Sequence, residues 1–196
     1  MQMRIQSNYT EKPELDRTIY SQEELDYLRS TYPLINNAWN TANVNGIKIT
    51  KTEGRFGYVY NFLIDNFGWM FTNPIDLLDH KKILTEYSGD ILFTGLGLGL
   101  CVVFANNNPK INSITIVEKE QRVIDLISSM LNLEKANIIC GDADTYTPTR
   151  AYDYIFLDHA KEKPKQDVIN SYSNYSPNVD IWYDIYMQVG DKLASN

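Results

Sequence analysis

The stretch Ile91 to Leu100, ILFTGLGLGL, limits what this 196-residue chain can fold into more than any other. Ile91, Leu92 and Phe93 form the short apolar run that a strand buried on both faces needs, and glycines at 95, 97 and 99 follow at alternate positions. Glycines so placed let the backbone turn sharply and approach a ligand closely. Leu100 to Ala105 reads as the next helix, so bare backbone N–H groups are expected at the carboxyl end of a parallel sheet, where open α/β folds bind ligands. The dinucleotide fingerprint G-x-G-x-x-G needs a third glycine at position 100, which is leucine. The observed G-x-G-x-G suits a nucleotide that places no pyrophosphate on the helix; taken alone, the stretch is also compatible with an ordinary strand-to-helix turn in a core of small residues.

The length gives room for one compact domain plus an extension. Residues 1–45 are expected as an N-terminal helical arm, in which Ser21 stands three residues before Glu24 as a capping box, Leu25 and Leu28 face a core, and Pro33 closes the segment. Residues 46–72 are expected as a small antiparallel meander. Asn45-Gly46 is a turn signal, the period then changes to two, and short strands are predicted at Ile47 and Ile49, at Tyr58 to Asp65 and at Trp69 to Phe71. Residues 73–196 are expected as the nucleotide-binding domain. It opens on a helix started by Asn73-Pro74, with Leu77, Leu84 and Tyr87 on one face, Gly89 at its end, and His80 as a partly exposed helix residue.

After the glycine turn, strand and helix alternate. Ser113 to Val117 is a predicted strand ending at Glu118, Glu120 to Met130 a helix, Asn137 to Ile139 a strand leading into Gly141-Asp142-Ala143, and Tyr152 to Leu157 a strand ending at Asp158-His159. Each of these strands ends in an acidic residue on the same sheet edge, a more specific pattern than any one member. Beyond Leu157 no further strand is predicted, and Asp180 is expected to cap a last helix carrying Ile181, Ile185 and Val189.

Composition excludes several classes. A net charge of −7 works against a nucleic-acid partner, because phosphate contacts need clustered Lys and Arg, and Lys161, Lys163 and Lys165 are interrupted by Glu162 and Pro164. An acidic protein is better suited to a cationic small molecule. No apolar run approaches a membrane span and the start MQMRIQSNYT carries no leader-like core, so a cytoplasmic protein is expected. Cys101 and Cys140 both read as small core residues, with neither a disulfide framework nor a metal-ligand spacing.

The segments LFTGLGLGL, IVEKE, CGDADTY and YDYIFLDHA, in that order, resemble the class I S-adenosylmethionine-dependent methyltransferases, and the meander followed by WMFTNPIDLLDHKKIL is similar to their spermidine-synthase-like branch. The resemblance covers roughly Ile47 to His159. It implies a Rossmann-like methyltransferase fold, a mostly parallel sheet shortened at the C-terminus behind the meander and arm, with S-adenosylmethionine as cofactor. It further implies that Gly95, Gly97 and Gly99 lie under the methionine part, that Glu118 holds the ribose, that Asp142 and Ala143 hold the adenine edge, and that Asp158 accepts a proton from an attacking amine. From the residues alone, Asp158 is either such a catalytic carboxylate or a cap on the next segment. Two departures stand out: leucines replace the aspartate that the aminopropyltransferase turn carries among its glycines, and no N/D-P-P-Y/F follows the fourth strand.

The expected activity is therefore transfer of a methyl or aminopropyl group to a small-molecule acceptor. The alternatives are cleavage of S-adenosylmethionine without an acceptor, and a catalytically silent binding or assembly protein on the same fold. The shortened sheet leaves an edge for the C-terminal helix, or for a second subunit of a homo-oligomer, to cover.

Overall fold

The computed structural model describes residues 20–159 and 164–181. The polar start of the arm and the body of the expected last helix lie outside the described residues. Helix α1 (Gln22–Ile35) opens on the expected capping box: Ser21 Oγ accepts the Glu24 N–H at 3.2 Å and the Glu24 carboxylate accepts the Ser21 N–H at 2.6 Å. Pro33 does not close this helix. The buried stripe of Leu28, Tyr32 and Ile35 carries it past the proline, because tertiary packing outweighs the one hydrogen bond that proline removes.

The meander has four strands rather than three: β1 (Ala42–Val44), β2 (Ile47–Glu53), β3 (Tyr58–Ile64) and β4 (Phe67–Phe71), antiparallel in that order. Two tight turns set its register. Asn45-Gly46 and Asp65-Asn66 all have positive φ, the conformation that two-residue hairpins require, and so β4 begins at Phe67, two residues ahead of the predicted strand at Trp69 to Phe71. Strand β1 is three residues in an asparagine-rich segment, too short to show a period. Ile47, Ile49, Tyr60 and Phe62 form the buried face.

Trp39, just ahead of β1, is 3% exposed, and its indole N–H donates to the Leu98 carbonyl at 2.6 Å, tying the meander to the glycine turn. Trp39→Phe removes that donor and leaves a buried acceptor unmet. Chemical denaturation should show a loss of about 1 kcal/mol, with an unchanged denaturant slope.

The single helix expected after Asn73-Pro74 is two: α2 (Pro74–Asp79), capped by Asn73 Oδ1 on the Ile75 and Asp76 N–H groups, and α3 (Lys81–Thr85). The break falls at His80, with φ −88° and ψ 2°, whose ring is buried rather than on a helix surface. Then come β5 (Gly89–Thr94), α4 (Leu100–Asn107), β6 (Ile111–Glu118), α5 (Gln121–Ser128), β7 (Ala136–Cys140), β8 (Tyr154–Leu157), α6 (Gln166–Ser173) and β9 (Val179–Ile181). The five strands form a parallel sheet in the order β7-β6-β5-β8-β9.

Strand β9 corrects the expectation that no strand follows Leu157 and that Asp180 caps a helix. Asp180 lies within β9, where it accepts from Lys82 Nζ at 2.8 Å and from the Tyr87 hydroxyl. Three residues with a central aspartate carry no strand period; pairing with β8 makes them a strand. Cys101 is buried as expected, whereas Cys140, the last residue of the edge strand β7, is exposed. Among the described residues no helix is long and apolar enough to cross a membrane.

Candidate functional site

Pairing places the strand ends on one line. Ile139, Val117, Thr94, Leu157 and Ile181 are mutual neighbours across the five strands, so Glu118, Gly95 and Asp158 are each the next residue out at the carboxyl edge, with Asp142 just beyond the end of β7. The chain leaves β5 towards β6 on one side and reaches β8 on the other. This is the topological switch point, where open α/β sheets leave a crevice for ligands.

The glycine turn answers first to the protein's own packing. Gly95 has φ +83°, and a Cβ there would lie 2.2 Å from the Asp158 carbonyl oxygen, so glycine is what lets the loops after β5 and β8 meet. At Gly99, with φ +73°, a Cβ would lie 2.5 Å from Leu131 on the segment after α5. Gly97 faces Met70 of β4, whose sulfur accepts the Leu98 N–H at 3.4 Å.

The expected row of bare N–H groups is accordingly not found. Four of the five N–H groups of residues 95–99 are taken by the protein: Gly95 by the Val117 carbonyl, Leu96 by Glu118, Leu98 by Met70 and Gly99 by the Leu96 carbonyl. Glu118 is the pivot. Its Oε2 accepts the Leu96 N–H and its Oε1 the Glu120 N–H, each at 2.8 Å, which holds the turn against the start of α5. Each carboxylate oxygen has a second lone pair, so two further hydroxyl donors can still be met.

Asp142 is exposed and shapes the turn after β7: its Oδ1 accepts the Asp144 N–H at 3.0 Å and its carbonyl the N–H groups of Thr145 and Tyr146. Ala143 is buried, with its carbonyl held by the Tyr172 hydroxyl at 2.7 Å from α6. The loop that follows β7 is thus pinned by a helix that comes after β8.

Asp158 stands opposite His80. Its Oδ2 is 3.3 Å from His80 Nε2, and the side chains are 18% and 4% exposed respectively. Burial pushes the Asp158 carboxyl above the usual range, while the hydrogen bond and charge of His80 pull it partly back. The neighbouring His159 bridges the sheet edge, with Nδ1 2.7 Å from Thr94 Oγ1 and Nε2 3.0 Å from Asp144 Oδ1. The Asp158 N–H donates to Thr94 Oγ1 at 2.9 Å, so the backbone carrying the carboxylate is fixed to β5.

The structure therefore brings Gly95, Gly97, Gly99, Glu118 and Asp158 into one continuous edge, with Asp142 and Ala143 at its far end. Sequence reasoning left His80 without a role. The i, i+4 spacing from Asp76 is a local signal for it, and nothing in the sequence says that this helix turn packs under β8. Among the described residues no cluster of metal-ligating side chains is present.

No family model matches the sequence, and no curated protein does. Solved structures do match in shape. Spermidine synthase from Thermotoga maritima is similar over 70% of this chain and 52% of its own, with a TM-score of 0.51 and 14% identity. A caffeoyl-CoA O-methyltransferase homologue from Staphylococcus aureus matches over 52% and 51% of the two chains, with a TM-score of 0.41 and 23% identity. The plantazolicin methyltransferase bound to S-adenosylhomocysteine matches over 53% and 42%, with a TM-score of 0.41 and 19% identity. This chain thus spans about half the length of the structures it matches. The strand order, the all-parallel sheet with an antiparallel meander ahead of it, and the overlap with spermidine synthase together give this chain a Rossmann-like fold of the kind that structure has.

Proposed function

We propose that the crevice at the switch point binds S-adenosylmethionine and that the protein transfers a methyl or aminopropyl group to a small, cationic or amine-bearing acceptor. The observation that carries this reading is the alignment of Glu118, Gly95 and Asp158, each one residue out from the paired line Val117, Thr94 and Leu157 on three neighbouring strands, with Asp142 and Ala143 beyond the end of β7. S-adenosylmethionine supplies a sulfonium whose attached carbons are open to displacement. Glu118 would take the ribose hydroxyls on its remaining lone pairs, Asp142 and Ala143 the adenine edge, and the glycine turn the methionine portion. Asp158, the partly exposed carboxylate, would take the proton that the acceptor loses as its new bond forms and the carbon–sulfur bond breaks. The net negative charge favours a cationic acceptor and argues against nucleic acid as substrate.

Ligand preference tests the reading directly. Thermal-shift titration should show stabilisation by S-adenosylmethionine, S-adenosylhomocysteine or methylthioadenosine and none by NAD, because the position where the dinucleotide turn needs its third glycine is Leu100, in a fully buried helix start. Stabilisation by NAD alone overturns it. Incubation with S-adenosylmethionine alone, then with candidate amines, and product analysis after each step separates group transfer from acceptor-free cleavage.

A further inference from the structure

We propose that His80 is a positioning residue for Asp158: a buried imidazolium, locked by the Asp76 main-chain carbonyl, whose charge keeps Asp158 a carboxylate and hence a proton acceptor. The proposal rests on the transferase reading above for its chemical use, and on geometry for its existence.

Hydrogen accounting carries it. His80 Nδ1 is 2.8 Å from the Asp76 carbonyl oxygen, which can only accept, so Nδ1 holds a proton in every state that keeps this contact. The other nitrogen, Nε2, lies 3.3 Å from Asp158 Oδ2. An unprotonated Nε2 facing an ionised carboxylate would set two lone pairs against each other, so one proton belongs to that contact; burial of Asp158 draws it towards Oδ2, and the packing of the ring draws it to Nε2, where the proposal places it. To one side of the ring, the stacked pair Phe93 and Phe156 packs with centroids 5.9 and 5.5 Å away, and aromatic faces favour a cation.

Among the described residues the other titratable groups nearby are Asp76 and Asp79 on α2, Cys101 on α4 and His159 beside Asp158. Asp76 matters most. Its Oδ2 is buried and has no hydrogen-bond partner among the described residues, and burial pushes its carboxyl up to about 7, against the opposing pull of His80. Burial alone lowers the His80 imidazole, but the hydrogen bond and charge of Asp158, with the Asp76 carbonyl and carboxylate, more than offset this and leave it above the ordinary histidine range. With Asp76 ionised, the three groups carry one net negative charge at rest. When an acceptor X–H attacks and gives its proton to Asp158, an X–carbon bond and an O–H bond form, the X–H and carbon–sulfur bonds break with the carbon–sulfur electron pair staying on sulfur, and the buried cluster becomes neutral. His80 keeps its own proton throughout, so no charge is stranded in the core.

The chain has two histidines, so nitrogen-15 labelling of histidine yields two imidazole signals, assigned with His159→Gln. In the intact, ligand-free protein His80 should show protons on both ring nitrogens through neutral pH. In Asp158→Asn the doubly protonated signature at neutral pH should vanish while the Nδ1 proton remains. Asp76→Asn should shift the His80 titration in the same direction by less. A neutral wild-type His80 at pH ~7, or an imidazolium that survives Asp158→Asn unchanged, overturns the proposal. His80→Gln should lower turnover about tenfold or more and displace the pH profile, with KM for S-adenosylmethionine within about twofold; normal turnover with an undisplaced profile also overturns it. Lack of any S-adenosylmethionine binding by the wild type defeats the transferase reading instead, and the spectra, which need no ligand, still decide the pairing.

Discussion

Asp158→Asn should lower turnover by about 100-fold or more while S-adenosylmethionine binds with near-normal affinity. The substitution keeps size and planarity, and the backbone of residue 158 stays tied to Thr94 through two acceptors, Oγ1 at 2.9 Å and the carbonyl at 3.2 Å. An asparagine NH2 can also donate to His80 Nε2. What disappears is the charge and the capacity to accept a proton at the sheet edge. Loss of a general base with retained binding appears as a fall in kcat and kcat/KM together, with KM little changed. Calorimetry for affinity and a product assay at saturating cofactor separate the two quantities. Near-normal turnover in the variant would make Asp158 a structural cap that merely satisfies the loop.

Glu118→Ala should act on the opposite quantity, weakening cofactor binding by tenfold or more, with turnover at saturation much less affected. Two effects combine. The carboxylate would contribute charge-assisted hydrogen bonds to the ribose, worth roughly 1.5–3 kcal/mol each. It also holds the Leu96 and Glu120 N–H groups at 2.8 Å, so its removal frees the glycine turn and adds an ordering cost to every binding event. Glu118→Gln distinguishes them. Its amide oxygen can keep one backbone bond while its NH2 opposes the other N–H, so an intermediate loss places part of the effect in the turn. Unchanged affinity in both variants would mean that Glu118 serves the loop alone and that the ribose is held elsewhere.

The sequence by itself determined the parts of this protein whose information is local. The capping box at Ser21, the turn at Asn45-Gly46, the Asn73 cap and the strand–glycine–helix pattern at Ile91 to Leu100 all stand where residue types and spacing placed them, because each is decided within a few residues by caps, positive φ and hydrophobic period. The acidic strand ends were legible for the same reason: a run of β-branched and aromatic residues that stops at an acid marks an edge. Tertiary structure alone decided what those residues face. Glu118 turns inward to hold the glycine turn, Gly95 is demanded by the Asp158 carbonyl on a neighbouring strand, and Trp39 reaches Leu98 across 59 residues of chain. His80 becomes the buried partner of Asp158 only because the break between α2 and α3 sets its ring against the stacked pair Phe93 and Phe156. Strand β9 exists because β8 offers an unpaired edge, not because Val179 to Ile181 prefers one. These outcomes depend on contacts between residues far apart in sequence, whose free energy comes from burial and hydrogen-bond satisfaction in the assembled fold and so leaves no periodic trace in the chain.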